Sequence, residues 1–99
     1  MALVEVSIVP VGTNEASFSS FVTEAARVAE QMGLKFQVTP TATVLEGDLQ
    51  KALNCAQKMH AAAVSAGATR VVTNVTIDDR HDKDLTMEGA VDAVTQQLH

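Results

Sequence analysis

Two alternating apolar runs, residues 35–39 and 42–46, stand only a few positions apart in the chain. Strands joined by so short a link form an antiparallel hairpin, because a parallel pair needs a crossover of a dozen residues or more. On each side of this hairpin lies one helix-length apolar stripe, and beyond each stripe one further strand-like run. Few sheets can be built from that order.

The first outer run, residues 3–9, places Val4, Val6 and Ile8 on one face and Leu3, Glu5, Ser7 and Val9 on the other. Pro10 and Gly12 are expected to end it. Apolar residues then recur at Phe18, Phe21, Val22, Ala25, Ala29 and Met32, one face of a helix with Ser17 or Asn14 as cap and Gly33 as stop. After the hairpin, Gly47-Asp48 opens a second helix that closes at Gly67, with Leu49, Ala52, Leu53, Ala56, Met59, His60 and Ala63 on its face and Asp48 as cap. Residues 69–77 form the strongest strand, with Val71, Thr73, Val75 and Ile77 opposed to Val72, Asn74 and Thr76. A last helix over residues 86–98 shows Met87, Val91, Val94 and Leu98 at helical spacing. Gly89 weakens it by about 1 kcal/mol relative to alanine.

Strand, helix, strand, strand, helix, strand, helix is a single α+β domain over residues 1–99, a ferredoxin-like βαββαβ sandwich with an extra C-terminal helix. Right-handed crossovers place both main helices on one face of a four-stranded antiparallel sheet. The other face is expected to stay bare and to carry Glu5, Ser7, Val9, Gln37, Thr39, Val72, Asn74 and Thr76. That mixture is too apolar for free solvent and too polar for a dry core, which suits a ligand platform or a wet interface.

Composition sharpens this. The chain is 46% apolar, yet it has no Trp or Tyr and only three Phe, so Val, Ala, Leu and Met must fill the core. A small domain with small core side chains gains little transfer energy, and assembly into a homo-oligomer is expected to complete its burial. Twelve acidic residues against seven basic ones give a formal net charge of -5. No basic run and no aromatic-basic signature is present, so nucleic acid is not an expected partner, whereas a small cationic molecule is. No apolar run reaches membrane-spanning length, and a lone Cys55 supports neither an internal disulfide nor a cysteine zinc site. A cytoplasmic setting without a membrane partner fits.

Chemistry-bearing clusters are sparse. His60 and His81 sit on different elements and His99 is terminal, so no metal-ligand spacing arises. Cys55, mid-helix and off the Leu53 stripe, reads as a partly buried thiol rather than a nucleophile. The charged residues 78–84 lack the glycine and terminal glutamate of a calcium loop and read as a solvated turn with internal Arg/Lys pairing. Arg70 and Arg80 could pair with carboxylates of a neighbouring subunit. No glycine motif for phosphate is present. No metal or cofactor is expected, and the weakest of the functional readings is a hydrolase or isomerase that uses His60 or His81 with a nearby carboxylate.

Several blocks together resemble one known family. They are Glu5-Val6-Ser7-Ile8-Val9-Pro10-Val11-Gly12-Thr13, Thr43-Val44-Leu45-Glu46-Gly47, Met59-His60, Gly67-Ala68-Thr69-Arg70-Val71, and Asp78-Asp79-Arg80 continuing through Asp82-Lys83 to Thr86-Met87-Glu88. In this order and at these separations they are similar to the UPF0045 family of thiamine-binding proteins. The resemblance implies a ferredoxin-like subunit assembled as a dimer of dimers through its sheets. It also implies a non-catalytic role in binding thiamine or its hydroxymethyl-pyrimidine part. The family's recurring residues fall on Glu5, Ser7, Thr43, Glu46 and Arg80 of this chain.

Thiamine is a permanent cation with an aminopyrimidine, so its site needs a carboxylate and fixed hydroxyl or amide groups. Glu5, Ser7, Thr39, Thr43, Asn74 and Thr76 are of that kind. Phe36, by alternation, faces away from Gln37 and Thr39. Thr43 and Glu46 have opposite parity, so one regular strand cannot show both on one face. Thr43 is expected on the bare face, with Glu46 near the start of the second helix, held by backbone amides, or at the rim as a ligand carboxylate. The competing function is a structural or regulatory oligomer whose bare face serves assembly alone.

Overall fold

The computed structural model of the chain describes residues 1–12 and 19–98, with side chains in the first helix described from Phe21 onward. It contains β1 (Ala2–Val11), α1 (Ser19–Gln31), β2 (Lys35–Val38), β3 (Thr43–Gly47), α2 (Leu49–Ser65), β4 (Arg70–Asp79) and α3 (Met87–Leu98). Asn14, Ser17 and Phe18, the expected cap and first stripe positions of α1, lie outside the described residues. The sheet order is β2-β3-β1-β4, and every neighbouring pair is antiparallel. This is the α+β arrangement expected from the element order.

The core lies between the sheet and the pair α1 and α2. Val4 and Val6 of β1, Leu45 of β3, Ala25 and Ala29 of α1, and Ala52, Ala56 and Met59 of α2 are buried in one cluster. Alanines at these helix positions let both helices approach the sheet closely, so a chain with three phenylalanines still closes its core. Cys55 is fully buried in this cluster, not partly as expected, because the inward arc of α2 is wider than the Leu53 stripe. Burial pushes its thiol pKa up against the opposing pull of Lys58, so it stays protonated at neutral pH.

Local signals act as expected at the helix ends. Asp48 takes extended backbone angles, and its carboxylate accepts the Lys51 N–H at 3.1 Å. Gly33 and Gly67 adopt positive φ of 70° and 106°, and the following Leu34 and Ala68 N–H groups reach back to the Ala29 and Ala63 carbonyls. Thr86 caps α3, its hydroxyl accepting the Gly89 N–H at 3.0 Å. A Cβ at position 89 would stand 2.9 Å from that hydroxyl, so the cap is a reason for glycine there.

Three expectations need correction. Pro10 does not end β1; it pairs with Val71 beyond the point where β3 stops, and a strand with a neighbour on one side only tolerates proline. β4 runs two residues past Ile77, through Asp79, because β1 supplies partners as far as Ala2. The face opposite α1 and α2 is not wholly bare, since the start of α3 crosses one end of it. Among the described residues, no helix is long and apolar enough to cross a membrane.

Candidate functional site

Strand register defines the face away from α1 and α2 row by row. Across the sheet run Lys35, Glu46, Leu3 and Asp78, then Gln37, Val44, Glu5 and Thr76, and then Ser7 beside Asn74. Directly opposed residues share a face, so these side chains project together. α3 lies over the first two rows. Between helix and strands is a groove of about 370 Å³.

Leu3 and Val44 form the apolar floor of this groove, and Met87, Ala90 and Val91 of α3 form its roof. Its polar groups are the carboxylates of Glu5 and Asp78, the Gln37 amide and the hydroxyls of Thr39 and Thr76. Two carboxylates, with no lining Lys or Arg among the described residues, make the groove electronegative. The carboxamide and hydroxyls add both donors and acceptors. Strands hold all of them except Thr39, which belongs to the β2–β3 turn, so their spacing is fixed by the backbone ladder.

Thr39 is the most constrained of the polar groups. Its N–H and its hydroxyl both donate to the Ala42 carbonyl, at 2.8 and 3.0 Å, and its Oγ1 accepts the Ala42 N–H at 3.1 Å. This closes the hairpin and leaves the hydroxyl one acceptor lone pair for the groove.

Of the six residues expected at the site, Glu5, Thr39 and Thr76 line the groove. Ser7 and Asn74 stand on the same face one row further along, outside the span of α3. Thr43 is a correction. It pairs with Val6 and Val38, is 4% exposed and faces α1 and α2. Burial of Leu45 fixes the parity of β3, and a regular strand then turns Thr43 inward and Glu46 to the far face. Glu46 is held by a backbone amide as expected, but the amide is that of Met87 in α3 and not one from α2.

Asp78, Met87 and Val91 are groove residues that were not anticipated. Asp78 has the parity of Thr76 and would have been found had the strand been carried beyond Ile77. No signal in the apolar stripe of α3 shows which surface it crosses.

A second cavity, about 420 Å³, lies where β3 ends beside β1, bounded by α1 and the hairpin turn. Val22, Ala25, Pro40 and Thr41 are among its walls, and no ionisable side chain lines it among the described residues. A cationic ligand would find no counter-charge there, so the groove under α3 is the better candidate.

The remaining polar groups are accounted for elsewhere. His60 Nδ1 lies 2.7 Å from the Thr73 hydroxyl on the helix-facing side of the sheet. Arg80 makes the internal pairing expected of this charged turn. It forks onto Asp82 of its own loop at 2.6 and 2.9 Å, which lowers the Asp82 pKa and raises its own. His81 Nε2 lies 3.0 Å from an Asp79 carboxylate oxygen. Among the described residues no group of three or more His, Cys, Asp or Glu is arranged to hold a metal ion.

Comparison with known proteins assigns the family. The sequence profile described as thiamine-binding protein matches residues 4–95. The chain belongs to the thiamine-binding protein family. Members similar to it include the UPF0045 protein YqgV of Bacillus subtilis, 36% identical over 102 residues, covering 99% of this chain and 98% of that protein. Among solved structures, the hypothetical protein MJ1052 of Methanocaldococcus jannaschii superposes with a TM-score of 0.87 at 36% identity over 96% of both chains. A Bacillus cereus domain of unknown function, DUF77, superposes at 0.80 with 30% identity, over 91% of this chain and 86% of that one. The UPF0045 resemblance of the sequence blocks is thus borne out, as is the ferredoxin-like order of elements that family members share with this chain.

Proposed function

We propose that this member of the thiamine-binding family binds thiamine, or its hydroxymethyl-pyrimidine part, in the groove between the sheet and α3, and that it does so without catalysis. The observation that carries this reading is the pair of carboxylates, Glu5 and Asp78, in a groove with an apolar floor and roof and, among the described residues, no lining cation. A thiazolium cation pairs with carboxylates. The aminopyrimidine donates to a carboxylate or to the Gln37 carbonyl oxygen and accepts from the Gln37 amide or the Thr76 hydroxyl.

Scarcity of aromatic residues does not weigh against this reading. The ring is sandwiched between the aliphatic floor and the roof, where the Met87 thioether supplies a polarisable partner for a π-face. Isothermal calorimetry with thiamine tests the proposal: a saturable heat is expected, and no heat and no thermal shift at millimolar ligand would refute it.

The working form is proposed to be a homo-oligomer. β4 is a ten-residue edge strand, and Val72, Val75 and Ile77 are 38%, 41% and 46% exposed along it. Protected edges carry lysine, proline or a bulge, and Val71 to Ile77 contain no lysine or proline. A second copy pairing through this edge would satisfy the free backbone groups and cover the valines. Light scattering is expected to give a multiple of the 10.5 kDa chain mass, and Val75→Lys with Ile77→Lys to shift the mass toward the monomer. An unchanged assembly in that variant would place the interface elsewhere.

A further inference from the structure

α3 covers the groove, yet little apolar packing holds it there. Met87 is its only buried residue, while Val91, Val94 and Leu98 are 56%, 58% and 75% exposed. What ties the helix to the sheet is its first turn. The first N–H groups of any helix have no partner within the helix, and they carry the positive end of its dipole. Thr86 satisfies the Gly89 N–H, and the Met87 N–H donates to Glu46 Oε1 at 2.7 Å. The other carboxylate oxygen of Glu46 lies 3.6 Å from Lys35 Nζ, which in turn donates to Glu88 Oε1 at 2.6 Å. Glu46 of β3, Lys35 of β2 and the start of α3 therefore form one clasp, with the Glu46 carboxylate buried at its centre. Glu46 does not line the groove.

We infer that Glu46 is a positioning residue for the groove: its buried carboxylate seats the first turn of α3 on the sheet and thereby sets the roof under which the ligand lies. This rests on the reading of the groove as the ligand site. The chemistry is specific to an acceptor at this point. A buried carboxylate aimed at a helix N-terminus gains from the dipole and from the orphan N–H together, whereas an alanine leaves the Met87 N–H without its partner beneath α3. The Lys35 link is exposed and contributes less.

Hydrogen exchange of ligand-free protein and thiamine calorimetry, both on the full chain, test the inference. In Glu46→Ala the amides of α3 are expected to exchange at least about tenfold faster, with β1, β3 and α2 unchanged, and thiamine affinity to fall by about tenfold or more. Glu46→Gln retains an oxygen that accepts the Met87 N–H, and is expected to keep both quantities within about threefold of the parent. Lys35→Met, on the exposed edge strand, leaves the interior untouched and is expected to shift both by about two- to fivefold, in step with one another. Unchanged α3 exchange in Glu46→Ala would overturn the clasp. Faster exchange with thiamine affinity within twofold of the parent would overturn the positioning role, as would a Glu46→Gln variant as impaired as the alanine. Absence of heat from the parent chain would instead remove the groove reading, and the positioning role with it.

Discussion

Glu5→Gln combined with Asp78→Asn is expected to weaken thiamine binding by about a hundredfold, each substitution alone by about tenfold. Both changes keep side-chain size and one carbonyl acceptor while replacing the other carboxylate oxygen by an NH2 donor and removing the charge, so the pairing with a cation is lost and the shape of the groove is not. The two residues occupy adjoining rows of neighbouring strands. At that separation the single effects need not add, and the double variant measures their coupling. Binding of the neutral pyrimidine alone is expected to suffer less, because only its amino group calls on a carboxylate. Equal losses for thiamine and the neutral pyrimidine would mean that the carboxylates serve as hydrogen-bond acceptors and that charge is secondary. No loss for either would remove both residues from the site.

The largest effect on stability is expected at Leu45. It is fully buried on a central strand, against the alanine-rich faces of α1 and α2. Leu→Ala in such a setting costs about 2–5 kcal/mol, through lost transfer energy and the cavity left behind. A domain of this size loses roughly 4–8 °C in melting temperature per kcal/mol, so Leu45→Ala is expected to melt about 8–40 °C lower. The core has little capacity to collapse into the gap, since its neighbours are largely alanine and valine on regular elements. Circular dichroism melts at matched protein concentration check this, because self-association of the kind proposed above would make the melting temperature depend on concentration. A shift below about 5 °C would show that the site closes over the cavity.

The elements were legible from the chain because each one obeys a single period. Val4 and Val6 alternate with Glu5 and Ser7, and the β1 register places them on opposite faces as their parity requires. The short link between β2 and β3 required a hairpin, and Thr39 closes it. The half of the site carried on β1 and β4, Glu5 and Thr76, followed from the same alternation.

What escaped sequence reading depended on contacts between elements. Thr43 and Glu46 compete for the far face of β3, and only the burial of Leu45 and the seat of α3 decide between them. A threonine on the core face has its small hydroxyl beside Val6, whereas the glutamate reaches a helix start 41 residues away. Acidic residues discourage a strand reading at Asp78, yet β1 continues to supply backbone partners there. The apolar stripe of α3 marks a helix without naming the surface it crosses, so its role as a roof was invisible in the chain.

Amide chemical shifts followed during titration with thiamine provide the most direct test of the central claim, that the ligand lies between the sheet and α3. The account predicts the largest shifts at Leu3 and Glu5, at Val44, at Thr76 and Asp78, and across Met87, Ala90 and Val91. Shifts concentrated instead at Val22, Ala25 and residues 40–43, around the cavity where β3 ends beside β1, would contradict it.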